Sequence, residues 1–425
     1  MAAPPAQASR ATVITTAGPT PNYTSALSAV TVLFFLWGFI TCLNDILIPY
    51  LKAIFQLSFA QANLINLCFF GAYFLVSIPA GKVVARLGYK RGMLLGFGVA
   101  AIGAFLFYPA AAQRAYGLFL GALFVLASGI TLLQVAANPY VAILGPPASA
   151  SARLTLTQAF NSLGTTLAPL LGSALILSHL PKLDNATTAV SIDVTAVQLP
   201  YLIIGVVLLL ISLVLSRIAL PVIAHVADDD AVTGAHHRSA WQYRHLLLGV
   251  VGIFAYVGAE VAIGSHIVSY LALPRVMGLD ATAAGNKVAF YWGAAMVGRF
   301  AGAYLLNKFL PAKLLAVNAV GAIVLVLVSI NTTGSLAMWS LLAVGLMNSL
   351  MYPTIFTLAV AGLGHHTEEG SGLLCTAIVG GALIPMLFGT IADHSSLHLA
   401  LLLPVLCYAY IMWYGLRGSR RVATT

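Results

Sequence analysis

Charge is scarce in this sequence: of 425 residues only 7% are Asp, Glu, Lys or Arg, where a soluble domain carries about 25%. Hydrophobic residues make up 60%, and the mean hydropathy is +0.96. A chain this poor in charge cannot face water over most of its area, so lipid must be its main solvent. Acidic residues number only 11, which leaves little for a metal centre or an acid–base pair. The four cysteines, Cys42, Cys68, Cys375 and Cys407, lie inside apolar runs. That placement excludes a disulfide framework or zinc cluster and predicts buried thiols. No HExxH, GxSxG or P-loop occurs, and Gly96-x-Gly98-x-x-Ala101 sits in an apolar run where glycine serves packing. The chain is not expected to be an enzyme.

What is present is a series of long apolar runs. In a bilayer the backbone must satisfy its own hydrogen bonds, which leaves helices or closed barrels. Runs continuous for about 20 residues, without period-two alternation, select helices. Twelve spans are predicted, near 27–52, 61–86, 91–112, 116–144, 153–178, 198–220, 244–273, 283–307, 311–331, 335–361, 369–392 and 397–416. The expected fold is an all-α membrane protein of two pseudo-symmetric six-helix bundles, at 26–220 and 244–416. The polar stretch 221–243, with Asp228, Asp229, Asp230, His236 and His237, reads as a cytoplasmic linker. Residues 1–25 read as a disordered cytoplasmic tail and 417–425 as a second tail. The first span is expected to act as its own uncleaved signal.

The net charge of +9 does not point to nucleic acid. With both termini inside, 15 of the 20 Lys and Arg residues fall on the cytoplasmic side, Arg299 counted among them. This is the positive-inside bias, and the basicity is topological.

The halves repeat each other. A shift of 220 lays Phe34, Gly38, Tyr50 and Leu51 on Phe254, Gly258, Tyr270 and Leu271. A shift of 214 lays Pro139 on Pro353, and one of 216 lays Gly164 and Pro169 on Gly380 and Pro385. Repeats of this kind place a binding site at the midplane between the halves, and rocking gives alternating access.

Nine of the acids fall in loops or at span ends, which leaves Asp45 in span 1 and Glu260 in span 7. A carboxylate mid-membrane costs about 3 kcal/mol or more, so both are expected to work in cation coupling or ligand contact. Under the repeat Asp45 corresponds to Ser265, so Glu260 sits five residues earlier on the equivalent helix. Five residues are about 7.5 Å of rise and roughly 140° of rotation, so separable roles are expected.

Uncharged polar residues line up at helical spacing: Thr131, Gln134 and Asn138; Gln158, Asn161 and Thr165; Asn348 and Tyr352; Thr41 and Asn44. Singly, such amides can simply tie helices together. Collectively they predict a cavity of neutral donors and acceptors, suited to a polyhydroxylated solute. A phosphate is disfavoured, because no Arg or Lys is expected mid-helix. Trp37, Tyr256, Tyr291 and Trp292 could stack on a sugar ring, although belts and packing account for most membrane aromatics. Pro139 and Pro353 free the carbonyls of Val135 and Ser349 beside these faces, which favours a hinge or gate. His266 reads as a packing histidine in preference to a proton group.

At these residues the chain resembles the major facilitator superfamily, and more narrowly the fucose–proton symporters and bacterial glucose/galactose transporters. Gly81–Arg91 (GKVVARLGYKR) is similar to the superfamily loop between helices 2 and 3, with Ala85 where an acid is usual. More specific are LNDILIPY (Leu43–Tyr50), LLQVAANPYV (Leu132–Val141), LTQAFNSLG (Leu156–Gly164), YVGAEVAIGS (Tyr256–Ser265), MYPTIFTL (Met351–Leu358) and GGALIP (Gly380–Pro385). The resemblance implies that Asp45 is the coupling carboxylate and that Asn161 lines the sugar site. Gln134 stands where fucose symporters have Glu, and Cys42 where they have Asn; Gln134 and Glu260 look more like the glucose/galactose branch.

The expected function is cation-coupled import of a hexose across a bacterial inner membrane, with H+ or Na+ as coupling ion. An uncoupled facilitator, or a carrier for another neutral polar solute, is the alternative. Coupling is expected at Asp45 and Glu260, with Asp45 the metal contact if the ion is Na+. Sugar contacts are expected from Trp37, Asn44, Gln134, Asn138, Gln158, Asn161, Glu260, Trp292, Asn348 and Tyr352. No cofactor beyond the ion is expected. The partners are a small sugar and the bilayer, with no nucleic acid, and the chain is expected to be a monomer.

Overall fold

A computed structural model describes residues 23–55, 59–175, 195–221 and 239–420. The first half is built from α1 (Tyr23–Phe55), α2 (Phe59–Leu87), α3 (Tyr89–Ala112), α4 (Tyr116–Ile143), α5 (Ala150–Leu175) and α6 (Thr195–Arg217). The second half is built from α7 (Arg244–Leu271), α8 (Ala281–Leu305), α9 (Pro311–Asn331), α10, α11 and α12. α10 is in two pieces, Gly334–Asn348 and Met351–Val360; α11 in Thr367–Thr376 and Gly380–His394; α12 in Leu397–Ala400 and Leu402–Trp413. Twelve helical elements in the expected order therefore stand among the described residues. Most of the predicted 1–25 tail and 221–243 linker lies outside them, although helix α1 begins at Tyr23, inside the predicted tail.

Among the described residues ten of the twelve are long and apolar enough to cross a membrane, and α5 and α8 are not among the ten. Those two carry Gln158, Asn161 and Thr165, and Asn286, Lys287 and Arg299, respectively. Helices too polar to face lipid all round need a protein or water neighbour. They find it in each other, across the two halves.

The repeat holds in the packing. In the first half α1 packs on α5, α2 on α4, and α3 on α4 and α6; in the second α7 packs on α11, α8 on α10, and α9 on α10 and α12. Gly164 and Gly380, matched by the 216 shift, do the same work. A Cβ at either would stand 2.2 Å from a carbonyl oxygen, that of Phe35 on α1 or of Phe254 on α7. Only glycine permits these crossings.

Between the halves α2 meets α11 and, by the same exchange, α5 meets α8; α11 also touches α4, and α10 touches α5. These contacts gather at the end carrying the α4–α5 and α10–α11 turns, where the bundle is shut. Basic residues hold that end. Lys90 Nζ donates to the carbonyls of Ser216 and Ile218 at 2.9 and 2.8 Å, capping α6. Arg153 donates to the carbonyls of Val141 and Ala142, capping α4. Cys375 and Cys407 are buried, as expected of thiols in apolar runs.

Candidate functional site

Between the halves lies a cavity of about 190 Å³, many times the room one water needs. Trp37 of α1, Gln134 of α4, and Gln158 and Asn161 of α5 line it from one side. Tyr256, Val257 and Glu260 of α7, Arg299 of α8, Tyr352 and Pro353 of α10, and Ile378 line it from the other. Of the ten residues expected to touch a sugar, Trp37, Gln134, Gln158, Asn161, Glu260 and Tyr352 line it and Asn138 lies directly behind it.

The amides are held, not loose. Gln134 Nε2 donates to the Tyr73 hydroxyl at 2.6 Å, and Asn161 Nδ2 to the Phe34 carbonyl at 2.8 Å. Each such bond fixes a side chain and leaves its remaining lone pairs and protons for a solute. Asn138 is fully buried behind the wall. Its Nδ2 donates to the Tyr352 hydroxyl at 3.1 Å, and its Oδ1 accepts from Gln158 Nε2 at 3.4 Å. Asn138 and Tyr352 are 214 residues apart, the spacing that relates α4 to α10, so the pair lies on the pseudo-twofold axis itself.

Two of the expected contacts lie off the cavity. Asn348 does not line the cavity: it is fully buried and donates to the Tyr291 hydroxyl at 2.8 Å. Its counterpart Gln134 makes the same amide-to-tyrosine bond but keeps one face on the cavity. Trp292 does not line it either; 43% exposed, it faces outward on α8 and packs against Gly264. An aromatic at the neighbouring position cannot share the inward face, because successive helical residues are about 100° apart. Asn44 and Asp45 lie in helix α1, but their side chains are outside the described residues. His266 hydrogen-bonds the Ala262 carbonyl at 2.8 Å and packs against Phe388, away from the cavity, as expected of a packing histidine.

The expectation that no cation sits mid-helix is corrected. Arg299, counted among the cytoplasmic basic residues, reaches the cavity, and its Nη2 lies 3.9 Å from Glu260 Oε1. That distance is an ion pair, beyond hydrogen-bond range. The two charges cancel, so the cavity still offers no net positive charge to a phosphate. Glu260 Oε1 and the Tyr256 hydroxyl are buried and interact with each other, with no well-formed hydrogen bond to any other group of the protein. Buried polar atoms of this kind call for water or solute. The signal for Arg299 was its place six residues before the end of α8, too deep for a loop charge.

The proline-freed carbonyls are both satisfied, by different means. Val135 O accepts from Ser371 Oγ of α11, in the opposite half, at 2.9 Å. Ser349 O accepts from Arg299 Nε at 3.3 Å, and α10 breaks there. A second bond across the halves joins Ser151 and Thr357 at 2.6 Å. The cavity floor is therefore a buried polar seam. Below it α2 and α11 approach so closely that a Cβ at Gly372 would stand 2.7 Å from the Ser77 carbonyl.

Two pseudo-symmetric six-helix halves around a central polar cavity define a membrane carrier. The Major Facilitator Superfamily pattern matches residues 26–385, and the chain belongs to that superfamily. It is 56% identical over 399 residues to a glucose/galactose transporter of Brucella abortus, covering 94% of this chain and 95% of that one. It is 36% identical over 413 residues to the L-fucose-proton symporter of Escherichia coli, covering 94% of each. The crystal structure of the transporter FucP in the outward conformation superposes with a TM-score of 0.85 at 34% identity, over 94% of this chain and 99% of that one.

Proposed function

We propose that the protein is a secondary active sugar transporter that imports a hexose by cation symport with alternating access. The observation that carries this reading is the cavity itself. It joins fixed amides, two tyrosine hydroxyls and a charge-balanced Glu–Arg pair to an indole wall, Trp37, between two halves sealed at one end. Hydroxyl-rich solutes match such a set, because each hydroxyl both donates and accepts, and the indole face suits the apolar face of a sugar ring. The relatives bear the names of glucose/galactose and fucose carriers, and Gln134 and Glu260 favour the glucose/galactose type. Gln134, Gln158, Asn161, Tyr352 and Glu260 contact the sugar, Asn138 orients two of them, and Asp45 couples the cation. The sealed end is cytoplasmic, by the distribution of Lys and Arg, so this arrangement is open outward, and the protein works as a monomer in a bacterial inner membrane.

Purified protein in proteoliposomes tests the reading: labelled glucose, galactose, mannose and fucose are offered under a pH gradient and, separately, a Na+ gradient. Accumulation of at least one hexose under one gradient is expected; equilibration without accumulation would select the uncoupled facilitator. Gln134→Ala and Asn161→Ala are each expected to weaken sugar binding by about 1–3 kcal/mol, with the protein still folded in detergent. Calorimetric titration checks this, and wild-type affinity in both variants would remove them from the site.

A further inference from the structure

Arg299 stands out because each nitrogen of its guanidinium has a different helix to serve. Nε donates to Ser349 O of α10, freed by Pro353. Nη1 donates to Ser162 Oγ of α5, in the opposite half. Nη2 faces Glu260 Oε1 of α7 at 3.9 Å. A lysine has one nitrogen on a flexible stem and cannot hold three directions at once; the planar guanidinium can. Ser162 is in turn fixed, donating to the Gln158 carbonyl at 2.9 Å. Glu260 is 9% exposed, and a carboxylate so buried needs a matching charge or it destabilises the fold. Arg299 Nη2 stands beyond hydrogen-bond range of that Oε1, so it balances the charge without consuming a lone pair.

We propose that Arg299 is a positioning residue of the transport site: it holds the Glu260 carboxylate toward the cavity and links it through Ser162 to the other half. The inference rests on the sugar-transport reading. A sugar hydroxyl that donates to Glu260 then acts on a group tied to both halves. The Arg299–Ser162 bond spans the interface that rocking must part, so occupancy of Glu260 and the movement of α5 against α8 are linked by one side chain. The break in α10 belongs to the same device, since Arg299 replaces the helical hydrogen bond that Pro353 removes.

The test compares Arg299→Gln, Arg299→Lys, Glu260→Gln, Ser162→Ala and the double variant Glu260→Gln/Arg299→Gln by thermal unfolding in detergent, galactose and glucose binding, and sugar exchange. Arg299→Gln and Arg299→Lys are expected to weaken binding by about tenfold or more, the lysine failing to rescue because it keeps only the charge. The double variant is expected to unfold at a higher temperature than Arg299→Gln, since it leaves no unbalanced carboxylate. Ser162→Ala is expected to slow exchange by a larger factor than it weakens binding. Strictly additive losses in the double variant, full rescue by lysine, or equal effects of Ser162→Ala on binding and exchange would overturn the proposal. Should Arg299→Gln fail to fold, restored folding in the double variant supports the pair and failure of both overturns it. If wild-type protein binds no hexose, the sugar reading fails, while the unfolding comparison still decides whether Glu260 and Arg299 are paired.

Discussion

Proteoliposomes carrying Asp45→Asn are expected to equilibrate labelled sugar but not to concentrate it. Asparagine keeps much of the size and hydrogen bonding of the carboxylate yet can neither cycle a proton nor balance a sodium ion. An acid in mid-helix costs about 3 kcal/mol or more unless it is used. Of the two such acids, Glu260 is already matched by Arg299 at 3.9 Å. A carboxylate with a resident counter-charge is poorly placed to load and release a cation in each cycle, which is why the proposed coupling group is Asp45. Counterflow exchange should persist at a substantial fraction of the wild-type rate, while gradient-driven accumulation falls to the equilibrium level. Continued accumulation in Asp45→Asn would move coupling elsewhere, with Glu260 the first alternative.

Gly372→Val is expected to stop transport by a different route. A Cβ there would stand 2.7 Å from the Ser77 carbonyl and 3.5 Å from the Gly81 Cα. Neither is the end of a flexible side chain, so the halves cannot close fully against each other. Overpacking of this kind costs about 1–3 kcal/mol, and each 1.4 kcal/mol shifts a two-state balance about tenfold. The sealed end should therefore spend most of its time open. Cys375, one turn along α11 from Ser371, is fully buried and reports the change. In a variant keeping only that cysteine, Gly372→Val should make it react with a water-soluble maleimide many times faster, with sugar uptake lost. Slow labelling together with intact uptake would show that the crossing tolerates the side chain.

The helices and their order were legible because a bilayer allows so few solutions, and hydropathy alone marks where each span runs. The two prolines were legible for the same kind of reason: a missing N–H names the carbonyl it abandons. The donors that came to those carbonyls could not be read, since Ser371 and Arg299 arrive from elsewhere in the chain. Arg299 was assigned to the cytoplasmic side because counting charges by loop ignores a side chain long enough to reach up from deep in a helix. Asn348 and Trp292 failed as cavity residues because spacing fixes a helix face but not the direction in which a neighbouring helix stands. Tyr291 claimed the first, and the outward face of α8 the second. Gln134, Gln158 and Asn161 line the cavity, and that much was legible because two helices carried the same kind of polar stripe at corresponding depth.

The hydrogen bond between Asn138 and Tyr352 bears on how a carrier descended from a duplicated half can recognise a chiral molecule. A fully symmetric pair of halves would offer every solute two equivalent poses, related by the axis through the cavity. Here the equivalent positions carry different residues: Asn138 faces Tyr352, Gln158 is matched by Leu374, and Asn161 by Ala377. At these three positions the first half carries amides and the second a phenol and aliphatic groups, so handedness at the centre comes from unequal side chains on the two halves. Because the residues at 138 and 352 touch each other at 3.1 Å, neither could drift alone. Substitution at one constrains the other, and the two should be found to change together among related carriers that differ in the sugar they accept.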